Sequence, residues 1–362
     1  MVRIFNLYVL LFLLSLTVHA DSPSFQKDIF PILQHRCMAC HACYDSPCQL
    51  NLSSSEGVTR GASKEAIYGV TRTQAMQPTR LGMDADSISA WRKMGFYSVL
   101  NPKIAIMSRM LALGHGIQWQ NNQKLPKDIV LGVARTDSCP ANPAELDHYA
   151  DKHPMEGMPL AVHALSQHDY DLLQQWLAAG APVDMPPMRP NAVENTAIIH
   201  WEHYMNQPDL RHQLLARWLY EHWFIAHIYV PDGDPKHFFR WVRSSTPTGQ
   251  PILELPTRLP DDSPDVETFY YRLKPIEGAL IYKTHITLEL PEAEIAQIDK
   301  LFFQHAWSLS KRPGYEVADR ANPFLTFAAL PRRATVICCS MQNTLYVPSF
   351  AGLSVEDSWQ PM

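Results

Sequence analysis

The 362-residue chain has little cysteine: seven residues, too few for a disulfide-scaffold protein. The total is odd, so at least one cysteine has no intrachain partner. It also has no excess of positive charge. Its 31 Lys and Arg stand against 36 Asp and Glu, a formal net charge of −5 that offers no basic surface for nucleic acid. After the opening segment there is no apolar run long enough to span a bilayer, which takes about 20 residues. No H-E-x-x-H is present, and no Ser-His-Asp or paired-carboxylate constellation stands out.

What is present begins with the leader. "MVRIFNLYVLLFLLSLTVHA" carries one arginine, then an apolar run, and ends on Val18-His19-Ala20 with small residues at −3 and −1 before Asp21. This reads as a signal peptide over residues 1–20. The rival, a signal anchor, would need a longer run and a basic flank. The mature chain is expected to be soluble and exported. At roughly 340 residues it exceeds what one core organises, so two domains are expected. Its 29 prolines are spread through the chain, which points to long ordered loops rather than one linker.

"HRCMACHACYDSPC", residues 35–48, concentrates four of the cysteines. Cys37-Met38-Ala39-Cys40-His41 has the form C-x-x-C-H, the attachment sequence of a c-type haem. Two thiols on one turn can bond both vinyl groups of a porphyrin, and the adjoining imidazole is held against the iron. Zinc held by Cys37, Cys40, Cys43 and Cys48 is an alternative, as is a structural disulfide. Phe25, Ile29 and Leu33 form the stripe of a short amphipathic helix before the motif, with Pro31 inside it.

A distal ligand is sought downstream. Met158-Pro159 stands in a loop before a helix that Ser166 caps, with Asp169 answering and Gly180 closing it. Leu172, Leu173, Trp176 and Leu177 make its buried stripe. Methionine with histidine raises the potential of haem iron. Met155, His153 and His163 compete for the position, and methionine is also ordinary core filler. "RGASKEAIYG" and "WRKMGFYSVLNPKIAIMSRML" read as two helices of an insert between the motif and this loop.

The second half changes in character after "GAPVDMPPMRP", whose prolines mark a boundary. "PDLRHQLLARWLYEHWFIAHIYV" is a helix too apolar for a solvent face. His200, His203, His222 and His227 are either buried structural histidines, polar contacts to substrate or haem, or a second metal site. Arg240 and Arg243 can meet an anionic head group, or can be surface residues. "VETFYYRLKP" and "ALIYKTHITLEL" favour a hairpin.

The segments "CMACHACYDSPCQLNLSSSEGVTRGASK", "WRKMGFYSVLN", "YEHWFIAHIY", "FFRWVRSSTPTGQPI" and "ANPFLTFAALPRR" carry a resemblance. Over residues 25 to about 335 the chain resembles the periplasmic fatty acid cis/trans isomerase family. The resemblance implies a haem c enzyme that converts cis double bonds of membrane fatty acyl chains to trans. It assigns Cys37 and Cys40 to covalent attachment of one haem and His41 to the proximal position. Met158 stands where a distal ligand is expected, so His41 and Met158 are the expected iron ligands and catalytic positions. It further implies unsaturated fatty acids or phospholipid acyl chains as substrate, peripheral contact with the membrane surface, and dependence on haem-maturation machinery. The alternative is a monohaem c-type electron-transfer protein. A third is a lipid-binding protein that has lost its activity.

The resulting expectation is a mostly α, cytochrome c-like haem domain with a long insertion over residues 21–183, followed by an incomplete α+β domain over residues 190–335. Residues 336–362, with the adjacent Cys338-Cys339, depart from the family pattern. Codons for Tyr346 to Met362 can be chosen so that a neighbouring frame reads like a family continuation. A frameshifted tail on a truncated isomerase is expected.

Overall fold

Ser24, Ser54, Ser87, Asn142, Ser166, Asn191 and Asp209 each turn a side-chain oxygen onto a backbone N–H at the start of a helix. These caps satisfy donors that the first turn leaves unpaired, and they set where most of the helices begin. The computed structural model describes residues 22–69, 71, 73–120, 123–132, 135, 138–279 and 286–331. The expected leader and the expected out-of-frame tail lie outside the described residues. The chain divides into two compact units: residues 1–81 with 85–185, and residues 82–84 with 186–362.

In unit 1 a π turn over Phe25–Ile29 runs into α1 (Phe30–Arg36), with Pro31 in the first turn, where a missing N–H is tolerated. Phe25, Ile29 and Leu33 are wholly buried, and the Phe25 ring lies 5.7 Å from that of Trp176. There follow α2 (Ser55–Arg60), α3 (Ile88–Lys93), α4 (Ile106–His115), α5 (Pro143–Lys152) and α6 (Gln167–Ala178). Helix α6 starts at its Ser166 cap, buries Leu173, Trp176 and Leu177, and ends before Gly180 at φ +91°. The "RGASKEAIYG" helix does not form. Gly61, at φ +82°, stops α2, and a Cβ there would meet the Tyr97 carbonyl oxygen at 2.1 Å. Ala62 pairs with Tyr97 instead.

The expectation of a mostly α, cytochrome c-like haem domain with a long insertion, followed by an incomplete α+β domain, is overturned. The chain is mixed, with short helices and a four-stranded sheet. Among the described residues no group of three or more His, Cys, Asp or Glu gathers to hold a metal ion. The supposed insert is not an addition to a smaller frame: its Trp91, Phe96, Ile106 and Leu111 are themselves core residues of unit 1.

In unit 2, α7 (Ala192–Met205) and α8 (Leu210–Trp223) precede β1 (Ala226–Tyr229), β2 (Phe239–Ser244), β3 (Tyr270–Pro275) and β4 (Ile286–Glu289). Then come α9 (Glu292–Phe303), α10 (Val317–Arg320) and α11 (Pro323–Thr326). The sheet order is β3-β2-β1-β4, with β1 antiparallel to β2 and parallel to β4. Among the described residues the expected hairpin is therefore absent: β3 and β4 lie at opposite edges, because β2 takes β3 as its antiparallel partner. Trp201, Leu214, Ile228, Trp241, Ile298 and Phe302 anchor the core. Glu194 closes a capping box with Asn191 and also accepts from Asp234 N at 2.8 Å, tying the start of α7 to the turn after β1. No helix among the described residues is long and apolar enough to cross a membrane.

Candidate functional site

The C-x-x-C-H motif begins where α1 ends. Cys37 N donates to Leu33 O at 2.9 Å as the helix closes, and His41 N donates to Cys37 O at 3.0 Å. That single turn brings Cys37, Cys40 and His41 together. All three nearby thiols, Cys37, Cys40 and Cys43, are free. Cys48 is not, because it forms a disulfide with Cys139, with the Cα atoms 5.6 Å apart. The four-cysteine zinc set is thereby removed.

The His41 ring is oriented from behind. Its Nδ1 lies 3.3 Å from Leu50 O, which leaves Nε2 as the nitrogen that could bind a metal. Burial lowers its pKa and outweighs the Leu50 carbonyl, which favours the neutral imidazole a metal needs. Burial also pushes the Cys37 thiol up to about 12, against the pull of Arg36 and with a smaller push from Cys40.

Met158 is seated on α4. Its N–H donates to Met110 O at 2.9 Å. A Cβ on Gly114 would come within 2.1 Å of the Met158 carbonyl oxygen, and one on Gly157 within 2.0 Å of Gly114 N, so both positions need glycine for this approach. Glu156, buried just before, is held by Arg135 and by His153 Nδ1 at 2.9 Å, while Tyr149 Oη donates to its carbonyl at 2.8 Å. Burial would raise the Glu156 carboxyl, but Arg135 and His153 outweigh it and keep the pKa below the usual range. The competing Met155 is exposed.

Arg36, immediately before Cys37, links the two features. Its Nη2 donates to His163 O at 2.5 Å and Ala164 O at 3.2 Å, in the loop that follows Met158. Arg36, Leu50, Gly114 and Gly157 were not singled out from sequence. The adjacency of Arg36 to the motif and of Gly157 to Met158 were the signals on offer. A cleft of about 380 Å³ in unit 1 is bordered by Glu56, Thr59, Ile88, Trp91 and Met185, and none of Cys37, Cys40, His41 or Met158 lines it.

In unit 2 the histidines disperse. His200 pairs with Glu292 at 3.0 Å, and His222 donates through Nδ1 to Trp218 O at 2.7 Å. No metal cluster forms from them among the described residues. The two arginines of β2 separate as well. Arg240 is committed to Glu254 through two bonds of 2.7 Å, whereas Arg243 is almost wholly buried.

No curated protein and no solved structure matches the chain. The family model described as fatty acid cis/trans isomerase matches residues 76–337. The match takes in Met158 and most of unit 2, and leaves Cys37, Cys40 and His41 outside. With most of its length so matched, the chain belongs to the fatty acid cis/trans isomerase family and is an isomerase acting on fatty acyl substrates.

Proposed function

We propose that this isomerase works with one covalently attached haem c in the periplasm, at the membrane surface. Cys37 and Cys40 would hold the porphyrin, with His41 and Met158 as the iron ligands. The observation that carries this reading is the turn itself: two free thiols, and between them and α2 an imidazole whose Nδ1 is already engaged by Leu50. The donor set fits the group, since a thiol pair and a neutral imidazole are what c-type attachment uses. Sequestering Cys48 with Cys139 leaves the motif's thiols without that competitor. Arg36, by gripping the His163 and Ala164 carbonyls, ties the Met158 loop to the residue before Cys37.

When bound, an electron-poor haem iron would draw density from the double bond and so lower the barrier to rotation. The chain's own part is positional: Leu50 orients His41, Gly114 and Gly157 seat the Met158 backbone, and Glu156 fixes the approach to it.

The test expresses the full chain with haem-maturation machinery and separates cis and trans acyl chains by gas chromatography after incubation with oleate. Haem that resists acid-acetone extraction, is lost in the C37A/C40A double variant and accompanies trans product is expected. A thioether-to-iron band in the near infrared should vanish in M158A. Loaded haem without any trans product would return the chain to the electron-transfer alternative.

A further inference from the structure

Unit 2 encloses two guanidinium groups that its own side chains do not satisfy. Arg217 on α8 and Arg243 on β2 are each 1 % exposed. Arg217 donates Nε to Glu221 at 2.7 Å and Nη1 to the carbonyls of Pro313 and Gly314, while its buried Nη2 has no partner among the described residues. Arg243 donates to the Asp262 carbonyl at 2.8 Å and to Thr257 Oγ1 at 2.7 Å, and its buried Nε has no partner among the described residues. Neither partner of Arg243 is a carboxylate. Among the described residues the one carboxylate that bonds either cation is thus Glu221, on Arg217, in an interior where an uncompensated charge and an unmade hydrogen bond are both costly.

The two groups converge on one ring. Arg217 Cζ lies 4.1 Å from the Tyr315 centroid and Arg243 Cζ 5.5 Å from it. Tyr220 and Phe269 lie on the Arg243 side at 5.2 and 5.8 Å, and Phe327 on the Arg217 side at 5.9 Å. Ring faces compensate a buried cation in part and leave its N–H donors unused. The result is a cluster of aromatic rings around two buried cations with one bonded carboxylate and two spare donors.

We propose that Arg217 and Arg243, with Tyr315 between them, form the site that takes the carboxylate of a free fatty acid. The inference rests on the isomerase reading and names the head group for it. A fatty acid offers one charged group on an otherwise apolar chain. Each guanidinium has one spare nitrogen, Nη2 of Arg217 and Nε of Arg243, so a carboxylate takes one charge-assisted bond from each, and the aromatic rings suit the methylenes beside it. Arg240, the neighbour that sequence pairs with Arg243, is excluded because Glu254 already occupies its fork. The cations stand on a long helix and a central strand. Tyr315 and Phe327 are only half-buried and come from the short helices and turns after α9, so entry is on their side. A phospholipid phosphate shares the anionic chemistry but brings a glycerol and a second chain, which guanidinium groups this deeply buried do not favour.

The experiment measures binding of oleate, methyl oleate and dioleoylphosphatidylglycerol vesicles to the full-length matured chain. Oleate is expected to bind at least tenfold more tightly than its uncharged methyl ester. Arg243→Met should weaken oleate at least tenfold and leave the ester unchanged, with Arg243→Lys in between. Equal binding of oleate and methyl oleate by the unaltered protein overturns the proposal, and so does oleate binding that Arg243→Met leaves intact. Vesicle binding tighter than oleate binding and lost in Arg243→Met overturns the free-acid assignment. If Arg243→Met fails to fold, the acid-against-ester comparison and Arg243→Lys still decide. Binding needs no turnover, so the two readings fail separately. A chain that discriminates oleate but makes no trans isomer keeps this site and loses the reading of haem-dependent isomerisation. One that isomerises acid and ester equally does the reverse.

Discussion

Unit 1 and unit 2 reach order by different means. Two of the helices of unit 1 have only six residues, too few to be stable in isolation. Order there comes from staples onto backbone. Arg60 donates to Gln49 O at 2.5 Å and to Thr79 Oγ1 at 2.9 Å, with Phe96 stacked on its guanidinium at 4.5 Å. Arg92 holds the Arg60 and Thr59 carbonyls, and Cys48–Cys139 closes the chain covalently over 91 residues. Unit 2 has two 14-residue helices and a sheet, and can bury charge inside an aromatic core. Buried arginine reaches backbone carbonyls in both units, but unit 2 also pairs buried Arg217 and Arg272 with the carboxylates of Glu221 and Glu202.

The largest effect expected from breaking this pattern is at the buried pair of unit 2. Arg272 donates Nε to Glu202 Oε2 at 2.7 Å and reaches the Thr246, Pro247 and Gln250 carbonyls. Glu202 is 1 % exposed and also accepts from Leu273 N at 2.9 Å. Arg272→Met strands that carboxylate, so a loss of about 3–5 kcal/mol is expected in urea denaturation. A loss below about 1 kcal/mol would show that the pair is not integral to the core.

Next in size is the staple of unit 1. The C48A/C139A double variant should lose about 2–4 kcal/mol, because the unfolded chain regains the freedom of a long loop. Hydrogen exchange should locate the loss in residues 22–185 and spare the sheet. Reductant should reproduce it in the unaltered protein and add nothing to the variant. Equal deprotection of the sheet would break the contrast between the units.

Legibility in the sequence also differs between them. Helix α6 was legible in its Ser166 cap, its Leu173–Trp176–Leu177 stripe and its Gly180 stop, local signals that agree, although Leu172, expected in the stripe, is only half-buried. The stripe of Phe25, Ile29 and Leu33 was equally plain. Other features were not. Strand partners depend on contacts across the fold, so two β-rich segments near each other in sequence looked like a hairpin yet became opposite edges of the sheet. The cytochrome c-like expectation came from weighting one motif and one loop over the residues between them, which supply core. At the candidate site the motif residues were legible from spacing. Their supports were not: Leu50 acts through its carbonyl, and Gly114 through the absence of a side chain. The pairing of Cys48 with a cysteine 91 residues away has no local mark. Arg217 was hidden in an apolar helix, where a charged residue reads as an interruption.

The smallest expected effect tests how charge is managed at the edge of unit 2's core. Arg240 and Lys274 face each other across β2 and β3, an arrangement that repels unless an anion intervenes. Glu254 intervenes, taking both Nη atoms of Arg240 at 2.7 Å and Lys274 Nζ at 2.8 Å. Burial tends to raise its carboxyl, but the hydrogen bonds and charges of Arg240 and Lys274 prevail and hold its pKa below the usual value. A folded-state pKa below the unfolded one means that the ionised carboxylate contributes stability above the unfolded value, about 4.3. That stability is lost as the pH falls through the lower folded value. Urea midpoints at pH 7, 5, 4 and 3 should therefore fall more steeply for the unaltered protein than for Glu254→Gln. The two should differ most at neutral pH and converge in acid. Parallel curves would show that Glu254 gains nothing from its two cations and that the strands tolerate their facing charges without it.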